Sequence, residues 1–434
     1  MNPGSEGLPG ALEGLKVLEI AQVIAIPVCG LLLADMGANV IKVEPPEGDA
    51  LRSNQQPIVP GEGKSFTLLN RGKRSICLDI TKPEARPAIE CLLKWADVVL
   101  VSMKPADLPR YRLSYADVCQ LNPEVVFLEH VPLGMRGPMG GDGGYDVVVQ
   151  GMSGIGAVTA RPNGDAPATI RPAYADFGTG FLSAFGVVAA LNHRMVTGRG
   201  QRVETSLLAT SLTQAAPVVN WFGVTDPDVE ASWREQRSAA AAVGAGFEEQ
   251  RALWEKAYQG GGFANIYFRH YRTRDGFLSV GCLSAATNAR FRTVTGVVDP
   301  RLEPGFELGT PEAYDRLTVL LRSTEDLFRQ RTTDEWIGLL RAGGVPCGPF
   351  NFPPDVFHDP QVLANDYVIQ LEHDLLGPYK TFAPPIRMDL TPTRVRRSSP
   401  VLGSHTEEVL AEVGLPLNEI TALVAAGVAG PNPK

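Results

Sequence analysis

The sequence lacks the patterns that most directly identify a metalloprotein, a membrane protein or a secreted protein. Its six cysteines form no CxxC pair and its six histidines no HExxH motif, so no metal site is predicted. No apolar run reaches about 18 residues, the length that a membrane span needs, and the N-terminus shows no secretory signal. Scattered cysteines fit reduced thiols, so we expect a cytoplasmic protein without a membrane partner.

An excess of positive charge is also missing. The 434 residues include 48 acidic and 40 basic side chains, and the net charge of −8 has the wrong sign for general nucleic-acid binding. We therefore expect no nucleic-acid partner, and a polyanionic ligand would need a local basic pocket.

Two common nucleotide-binding motifs are absent. The segment after the first predicted strand is AQVIAIP, which contains no GxGxxG, and GEGKS at 61–65 fails as a P-loop because position 58 is Ile. These departures argue against a dehydrogenase and against a P-loop site.

The first third of the chain does contain short β-branched runs that alternate with helical segments. This alternation predicts βαβ units around a parallel sheet, a Rossmann-like α/β fold. The predicted strands are residues 15–20, 39–43, 75–80, 97–102 and 125–131, and the predicted helices are residues 27–36 and 83–96.

Further along, residues 178–195 predict an apolar helix rich in small side chains. Such helices are typical of places where two helices pack closely, within one subunit or between two. The composition changes after residue 217, Asp275-Gly276 predicts a hairpin turn, and Thr332 to Glu335 predict a capping box at the start of a later helix. We therefore predict three segments: 1–216 as the first part of a large domain, 217–330 as a small domain, and 331–434 returning to the large domain.

Several segments together resemble the class III coenzyme A (CoA) transferases, the family of formyl-CoA transferase and carnitine CoA-transferase, which is related to α-methylacyl-CoA racemase. The most specific are LEGLKVLEI at 12–20, LLLADMGANVIKVEPPEGD at 31–49, NRGKRSICLDI at 70–80 and AALNHRMVTGRGQRVETSLL at 189–208. The resemblance implies a large Rossmann-like domain, an inserted smaller α+β domain and an interlocked homodimer.

Asp176, in IRPAYADFGTG, matches the position of that family's catalytic aspartate. The residues alone favour a helix N-cap, and a helix N-terminus would also keep the carboxylate ionised. The resemblance implies that this carboxylate carries CoA from an acyl-CoA to a carboxylic acid, through an aspartyl anhydride and an aspartyl-CoA thioester. CoA is then a substrate moiety, and no permanently bound cofactor is implied.

Supporting roles are open at several nearby positions. Gly178 could offer a backbone N–H to an oxyanion or could permit close helix packing. Gly260 and Gly261, in a run of three glycines, form either a flexible linker or a glycine-rich loop over the site. Asp146, after Tyr145, is a candidate second carboxylate near Asp176.

The phosphates of CoA require basic side chains. Arg71, Lys73 and Arg74 are the clearest cluster, although surface cations are often only solvated. By resemblance, Val23, Ala25, Met103 and Arg110 also fall at positions that contact CoA. The chain departs from the family at Ile26-Pro27, where relatives have Gly-Pro, and at Lys104-Pro105-Ala106, where they have Arg-Pro-Gly.

Two other functions stay open. A racemase of the same fold needs two bases, but the segment Gly144-Tyr145-Asp146 has tyrosine where racemases have histidine, which favours transfer. A non-catalytic partner subunit would have no need of Asp176. Succinate, other dicarboxylates and aromatic acids all remain candidates for the acids exchanged.

Overall fold

The computed structural model describes residues 7–54, 56–258 and 265–430. They fold into two compact units, of which the first takes in the chain up to residue 220 and from 361 onward, and the second covers 221–360. The domain boundaries predicted at 216 and 330, and the insertion of the small domain, stay predictions.

The described residues include fifteen strands, which are distributed over both units. In chain order they are β1 (Lys16–Ile20), β2 (Asn39–Glu44), β3 (Pro57–Val59), β4 (Glu62–Gly63), β5 (Arg74–Cys77), β6 (Val98–Val101), β7 (Val126–His130), β8 (Pro162–Asn163), β9 (Ala166–Pro167), β10 (Arg202–Thr205), β11 (Phe268–Arg272), β12 (Phe277–Gly281), β13 (Cys347–Pro349), β14 (Val368–His373) and β15 (Gly377–Phe382).

Seventeen α-helices accompany them among the described residues. They are α1 (Ala25–Asp35), α2 (Lys64–Leu69), α3 (Arg86–Trp95), α4 (Asp107–Arg110), α5 (Tyr115–Leu121), α6 (Asp146–Met152), α7 (Ile155–Thr159), α8 (Tyr174–Thr197), α9 (Leu207–Val219), α10 (Asp226–Ala242), α11 (Phe247–Tyr258), α12 (Ala285–Thr295), α13 (Pro311–Phe328), α14 (Thr333–Ala342), α15 (Pro360–Ala364), α16 (Thr406–Glu412) and α17 (Leu417–Ala425).

The first unit is built on a parallel sheet of six strands in the order β10-β7-β6-β1-β2-β5. Val17 of β1 pairs with Val40 of β2 on one side and with Val98 of β6 on the other. The central strands are apolar along most of their length because helices cover both faces of the sheet. Numbered along the chain, the six strands follow the Rossmann order 3-2-1-4-5-6 read from β5, so the predicted α/β class is confirmed.

Helices from distant parts of the chain cover the two faces. One face is packed by α3, α5, α16 and α17, with Leu92 and Leu423 in its core. The other is packed chiefly by α1 and α8, where Leu33 and Val187 are fully buried. The residues after 361 thus contribute to the same sheet core as those near the N-terminus.

Helix α8 begins at Tyr174, four residues before the predicted start at 178. It is the one helix in the described residues that is long and apolar enough to cross a membrane by length and composition, which core helices also satisfy. Within the first unit it packs closely against α1. A Cβ on Gly180 would lie 2.5 Å from the Cβ of Val28 and 2.6 Å from the carbonyl oxygen of Ala25.

The second unit has its own core, formed by the sheet β11-β12-β13 and the aromatic side chains of Tyr271, Phe328 and Trp336. The predicted hairpin is confirmed, with β11 and β12 antiparallel on either side of the Asp275-Gly276 turn. The capping box predicted at Thr332 is confirmed as well: its side chain accepts from the Glu335 amide while Glu335 accepts from the Thr332 amide.

The crossing of α8 over α1 generates a stability prediction. Gly180→Ala should lower the free energy of unfolding by about 1–3 kcal/mol, because the added methyl group must push α8 away from Val28 and the Ala25 carbonyl. Gly151→Ala in α6 is the matched control, since its Cβ would meet nothing within 4 Å. Urea denaturation of the variants measures both effects, and an unchanged stability for Gly180→Ala would contradict the close crossing.

Candidate active site

The carboxyl ends of four sheet strands surround a cavity of about 400 Å³. It lies beside the junction of β1 and β6, the point where strand order reverses and where open parallel sheets bind ligands. Its lining includes Gln22 after β1, Glu47 after β2, Asp79 after β5 and Met103 after β6. Four acidic side chains and no basic one line this cavity.

Asp176 lies at the same edge of the sheet. Its neighbour Ala175 is buried in a small cluster with Ala25, Leu133 and Leu207. These three residues come shortly after the carboxyl ends of β1, β7 and β10. Since parallel strands end at one edge, the first turn of α8 lies at the edge that carries the cavity.

A second carboxylate holds the start of α8. Asp146 Oδ1 accepts the backbone N–H of Ala175 at 2.8 Å and that of Asp176 at 3.2 Å. Asp176 itself is the third residue of the helix, and the N-cap position is occupied by Ala173. The interpretation of Asp176 as the N-cap is therefore wrong, because a residue 30 positions earlier supplies the capping oxygen. Asp146 does lie beside Asp176, as predicted.

The Asp176 carboxyl is buried, with 9% of the residue exposed. Burial, followed by the negative charge of Asp146, raises the pKa of Asp176 from 3.8 to about 7. Desolvation thus opposes the ionisation that the helix terminus was expected to favour. A carboxylate of high pKa is more basic and more nucleophilic once it is deprotonated.

Gln150, which sequence reasoning missed, orients Asp146. Its side-chain amide donates to Asp146 Oδ2 and, at 3.0 Å, to the carbonyl oxygen of Ile170. Its own oxygen accepts the Ile170 N–H at 3.0 Å. The only sequence signal was the spacing of four residues between Asp146 and Gln150 on one helix. Gln150 thereby connects α6 to the segment that leads into α8.

The other residues predicted to support Asp176 differ in their structural surroundings. Gly178 packs against α9, where a Cβ would lie 2.4 Å from the side-chain nitrogen of Gln214, so close helix packing accounts for it. Its N–H lies within the helical hydrogen-bond ladder rather than at a free terminus. Tyr145, directly before Asp146, is 67% exposed. Gly260 and Gly261 lie outside the described residues.

Of the four CoA contacts predicted by resemblance, one lines the cavity and three are close in sequence to lining residues. Met103 lines it. Arg110 is exposed at the end of α4. Its guanidinium carbon lies 5.5 Å from the ring centroid of Tyr111, and Tyr111 lines the cavity. Val23 follows the lining residue Gln22, and Ala25 begins α1.

The basic cluster has a different place. Lys73 is fully buried and its ammonium contacts Glu19 Oε2 at 2.8 Å, while burial lowers its pKa to about 8. Arg71 pairs with Asp35 at 2.8 Å, and Arg74 pairs with Glu412 at 2.5 Å. All three stand at or before the first residue of β5, at the amino edge of the sheet.

This placement corrects the prediction that Arg71, Lys73 and Arg74 bind CoA phosphates. Their charges are already neutralised by carboxylates, and their strand end is opposite the cavity. A run of cations in a sequence does not show which of them will fold inward. Arg110 is the predicted cation that the structure places beside the cavity and leaves exposed.

Comparison with known proteins decides the family. A family model described as CoA-transferase family III matches residues 12–406, most of the chain. The chain belongs to this family. The resemblance inferred from the sequence motifs is therefore confirmed.

Similar proteins of the family are named CoA-transferases. The succinate–glutarate CoA-transferase of Agrobacterium fabrum is 33% identical, over 93% of this chain and 95% of the relative. The human succinyl-CoA:glutarate CoA-transferase is 29% identical over 93% and 86%. The formyl-CoA:oxalate CoA-transferase of Afipia carboxidovorans is 29% identical over 93% of each chain.

Solved structures share the fold of this family III chain. A CAIB/BAIF family protein from Brucella suis superposes with a TM-score of 0.71 at 29% identity, over 93% of this chain and all of the other. A hypothetical protein from Mycobacterium tuberculosis gives a TM-score of 0.70 at 23% identity, over 93% and 99%.

The corrected role of Lys73 yields a prediction. Lys73→Met should lower the free energy of unfolding by about 3–5 kcal/mol, because it leaves the buried Glu19 carboxylate without one of its cations. Arg110→Gln, which removes an exposed charge, should change it by less than about 0.5 kcal/mol. Chemical denaturation compares the two, and a Lys73→Met protein as stable as the wild type would contradict the buried ion pair.

Proposed function

We propose that this chain transfers CoA from an acyl-CoA donor to a carboxylic acid acceptor, with Asp176 as the nucleophile. The observation that carries the proposal is the buried Asp176 carboxyl at the start of α8, beside Asp146 and at the edge of the sheet that carries the cavity. Membership of CoA-transferase family III supports the same reaction class.

In the first half of the proposed reaction, the Asp176 carboxylate attacks the thioester carbonyl of the donor. The C–S bond breaks, which gives a mixed anhydride and free CoA thiolate. The thiolate then attacks the Asp176 carbonyl carbon, the anhydride C–O bond breaks, and the donor leaves as its free acid. Asp176 now carries CoA as a thioester.

In the second half, the acceptor carboxylate attacks the aspartyl thioester and the same two steps run in reverse. The acyl-CoA product leaves and the Asp176 carboxylate is regenerated. No water enters the balance, so the free energy of the thioester is retained. The role of Asp146 is to cap α8 and so to fix the position of the Asp176 backbone.

For the acids, we propose a dicarboxylate exchange with succinyl-CoA as one donor. The human relative named for succinyl-CoA and glutarate, and the Agrobacterium fabrum relative named for succinate and glutarate, support this choice. The relative named for formyl-CoA and oxalate makes oxalate the first alternative acceptor.

We also propose a cytoplasmic homodimer. The small residues of α8 are used inside the chain, where Gly178 and Gly180 contact α9 and α1. The outer surface of α8 instead carries large exposed apolar side chains, including Phe181, Phe185 and Met195 at 52%, 74% and 81% exposure. Exposed apolar surface of this extent supports an interface between subunits.

The test of the proposed function is a panel assay. The purified protein, incubated with acyl-CoA donors and with succinate, glutarate, oxalate and aromatic acids, should produce new acyl-CoAs detectable by mass spectrometry. Asp176→Asn should reduce transfer at least about a thousandfold, because the amide cannot attack a thioester. No transfer with any pair, or a fully active Asp176→Asn protein, would contradict the proposal.

The pH dependence of transfer tests the electrostatics of the site. Because Asp176 must be deprotonated to react and its pKa is about 7, kcat/KM should rise between about pH 6 and 8 and then level off. Asp146→Asn keeps an oxygen to cap α8 but removes the negative charge, so the rise should move to lower pH. A profile that does not change with pH across this range, or one that Asp146→Asn leaves in place, would contradict this account.

A further inference from the structure

The turn between β1 and α1 contains a strained residue. Val23 has a φ of +71°, in the left-handed region. A β-branched residue rarely adopts this conformation, because its side chain then crowds its own backbone. Such a conformation persists only where the surrounding structure holds it, and holding devices of this kind concentrate at functional sites.

Asp49 is the first residue that holds Val23 in this conformation. Both of its carboxylate oxygens accept the N–H of Val23, each at 3.3 Å, and Oδ1 also accepts the Leu51 N–H at 2.9 Å. Asp49 belongs to the segment after β2 and is 1% exposed. It reaches the turn from the neighbouring strand, 26 residues away in sequence.

Lys42, on β2, is the second such residue. Its ammonium contacts Asp49 Oδ2 at 2.9 Å, Glu19 Oε1 at 3.0 Å and the carbonyl oxygen of Ala21 at 2.7 Å. An ammonium group has three N–H donors, so these three acceptors use all of them. Lys42 is fully buried, and water does not compete for its contacts.

The two side chains together fix the peptide units on both sides of Gln22. Lys42 binds the carbonyl of Ala21, and Asp49 binds the N–H of Val23. Ala21 and Gln22 line the cavity at the carboxyl edge, and α1 starts at Ala25, two residues after Val23. The same turn therefore sets the wall of the cavity and the start of the helix that α8 crosses.

We infer that Lys42 and Asp49 act as a clamp that holds the turn at residues 21–24 in its strained, CoA-binding conformation. Both are positioning residues that do not touch the substrate. The inference rests on the proposed function for the identity of the ligand. Without the clamp, the turn relaxes to a conformation with negative φ at Val23, and the fraction of protein ready to bind CoA falls.

The inference can be tested by replacing Val23, because glycine adopts a positive φ without strain. In the full-length protein, Asp49→Ala should weaken CoA binding about tenfold, as measured by calorimetry. A tenfold change in affinity is of the order of the free-energy cost of one residue in a strained backbone conformation. Because Val23 is itself a predicted CoA contact, the decisive comparison is between two double variants. Asp49→Ala with Val23→Gly should bind CoA about tenfold more tightly than Asp49→Ala with Val23→Ala, because the two lack nearly the same side chain but only glycine adopts the positive φ without strain.

This comparison separates positioning from a general loss of stability. Equal CoA affinity in the Gly and Ala double variants, or wild-type affinity in Asp49→Ala, would overturn the inference. If Asp49→Ala does not fold, Asp49→Asn replaces it, since its amide keeps an oxygen for Val23 but loses the charge that pairs with Lys42.

A second measurement keeps this inference distinct from the proposed function. Hydrogen exchange of the Val23 amide should be slow in the wild type, faster in Asp49→Ala, and its readout does not depend on CoA. If the wild type transfers no CoA, the proposed function fails while the exchange result still decides the clamp. If the wild type transfers CoA but its Val23 amide exchanges as fast as that of Asp49→Ala, the clamp alone fails.

Discussion

The crossing of α8 over α1 is the contact on which the placement of the Asp176 carboxyl depends. The two helices meet at Gly180, where there is no room for a side chain between α8 and the carbonyl of Ala25. Asp176 lies one helical turn before this contact. Asp146 fixes the N-terminal end of α8 by accepting the backbone N–H groups of Ala175 and Asp176. The carboxyl is consequently buried at the edge of the sheet, and burial is the main reason that its pKa is raised.

Buried ion pairs around Glu19 link several elements of the first unit. The Glu19 carboxylate pairs with the ammonium groups of both Lys42 and Lys73. Gly30 on α1 leaves space for this carboxylate, because a Cβ at position 30 would lie 2.0 Å from Glu19 Oε2. Buried ion pairs contribute little net stability compared with apolar packing, but the loss of one partner is costly. Here these pairs connect β1, β2, α1 and the turn that forms the cavity wall.

The sequence predicted those features that depend on local pattern. β-branched runs predicted the parallel sheet, and Asp275-Gly276 and the Thr332 capping box were confirmed. The features that depend on long-range contacts were missed. The start of α8 is set by Asp146 from another segment, and the burial of Lys73 is set by Glu19 on a different strand. Position 176 was identified by its motif, whereas its high pKa results from a burial that no local pattern encodes.

The most direct test of the central claim follows an oxygen atom. In the proposed reaction, an acceptor acid labelled with ¹⁸O in its carboxylate leaves one of its oxygens on Asp176 when the second anhydride is opened at the acyl carbon. After a single turnover with labelled acceptor, the peptide that contains Asp176 should be heavier by one ¹⁸O substitution, and the label should be absent from the same peptide without the acyl-CoA donor. Rapid transfer with no label in that peptide would show that the Asp176 carboxylate never joins the acids, and would contradict the account.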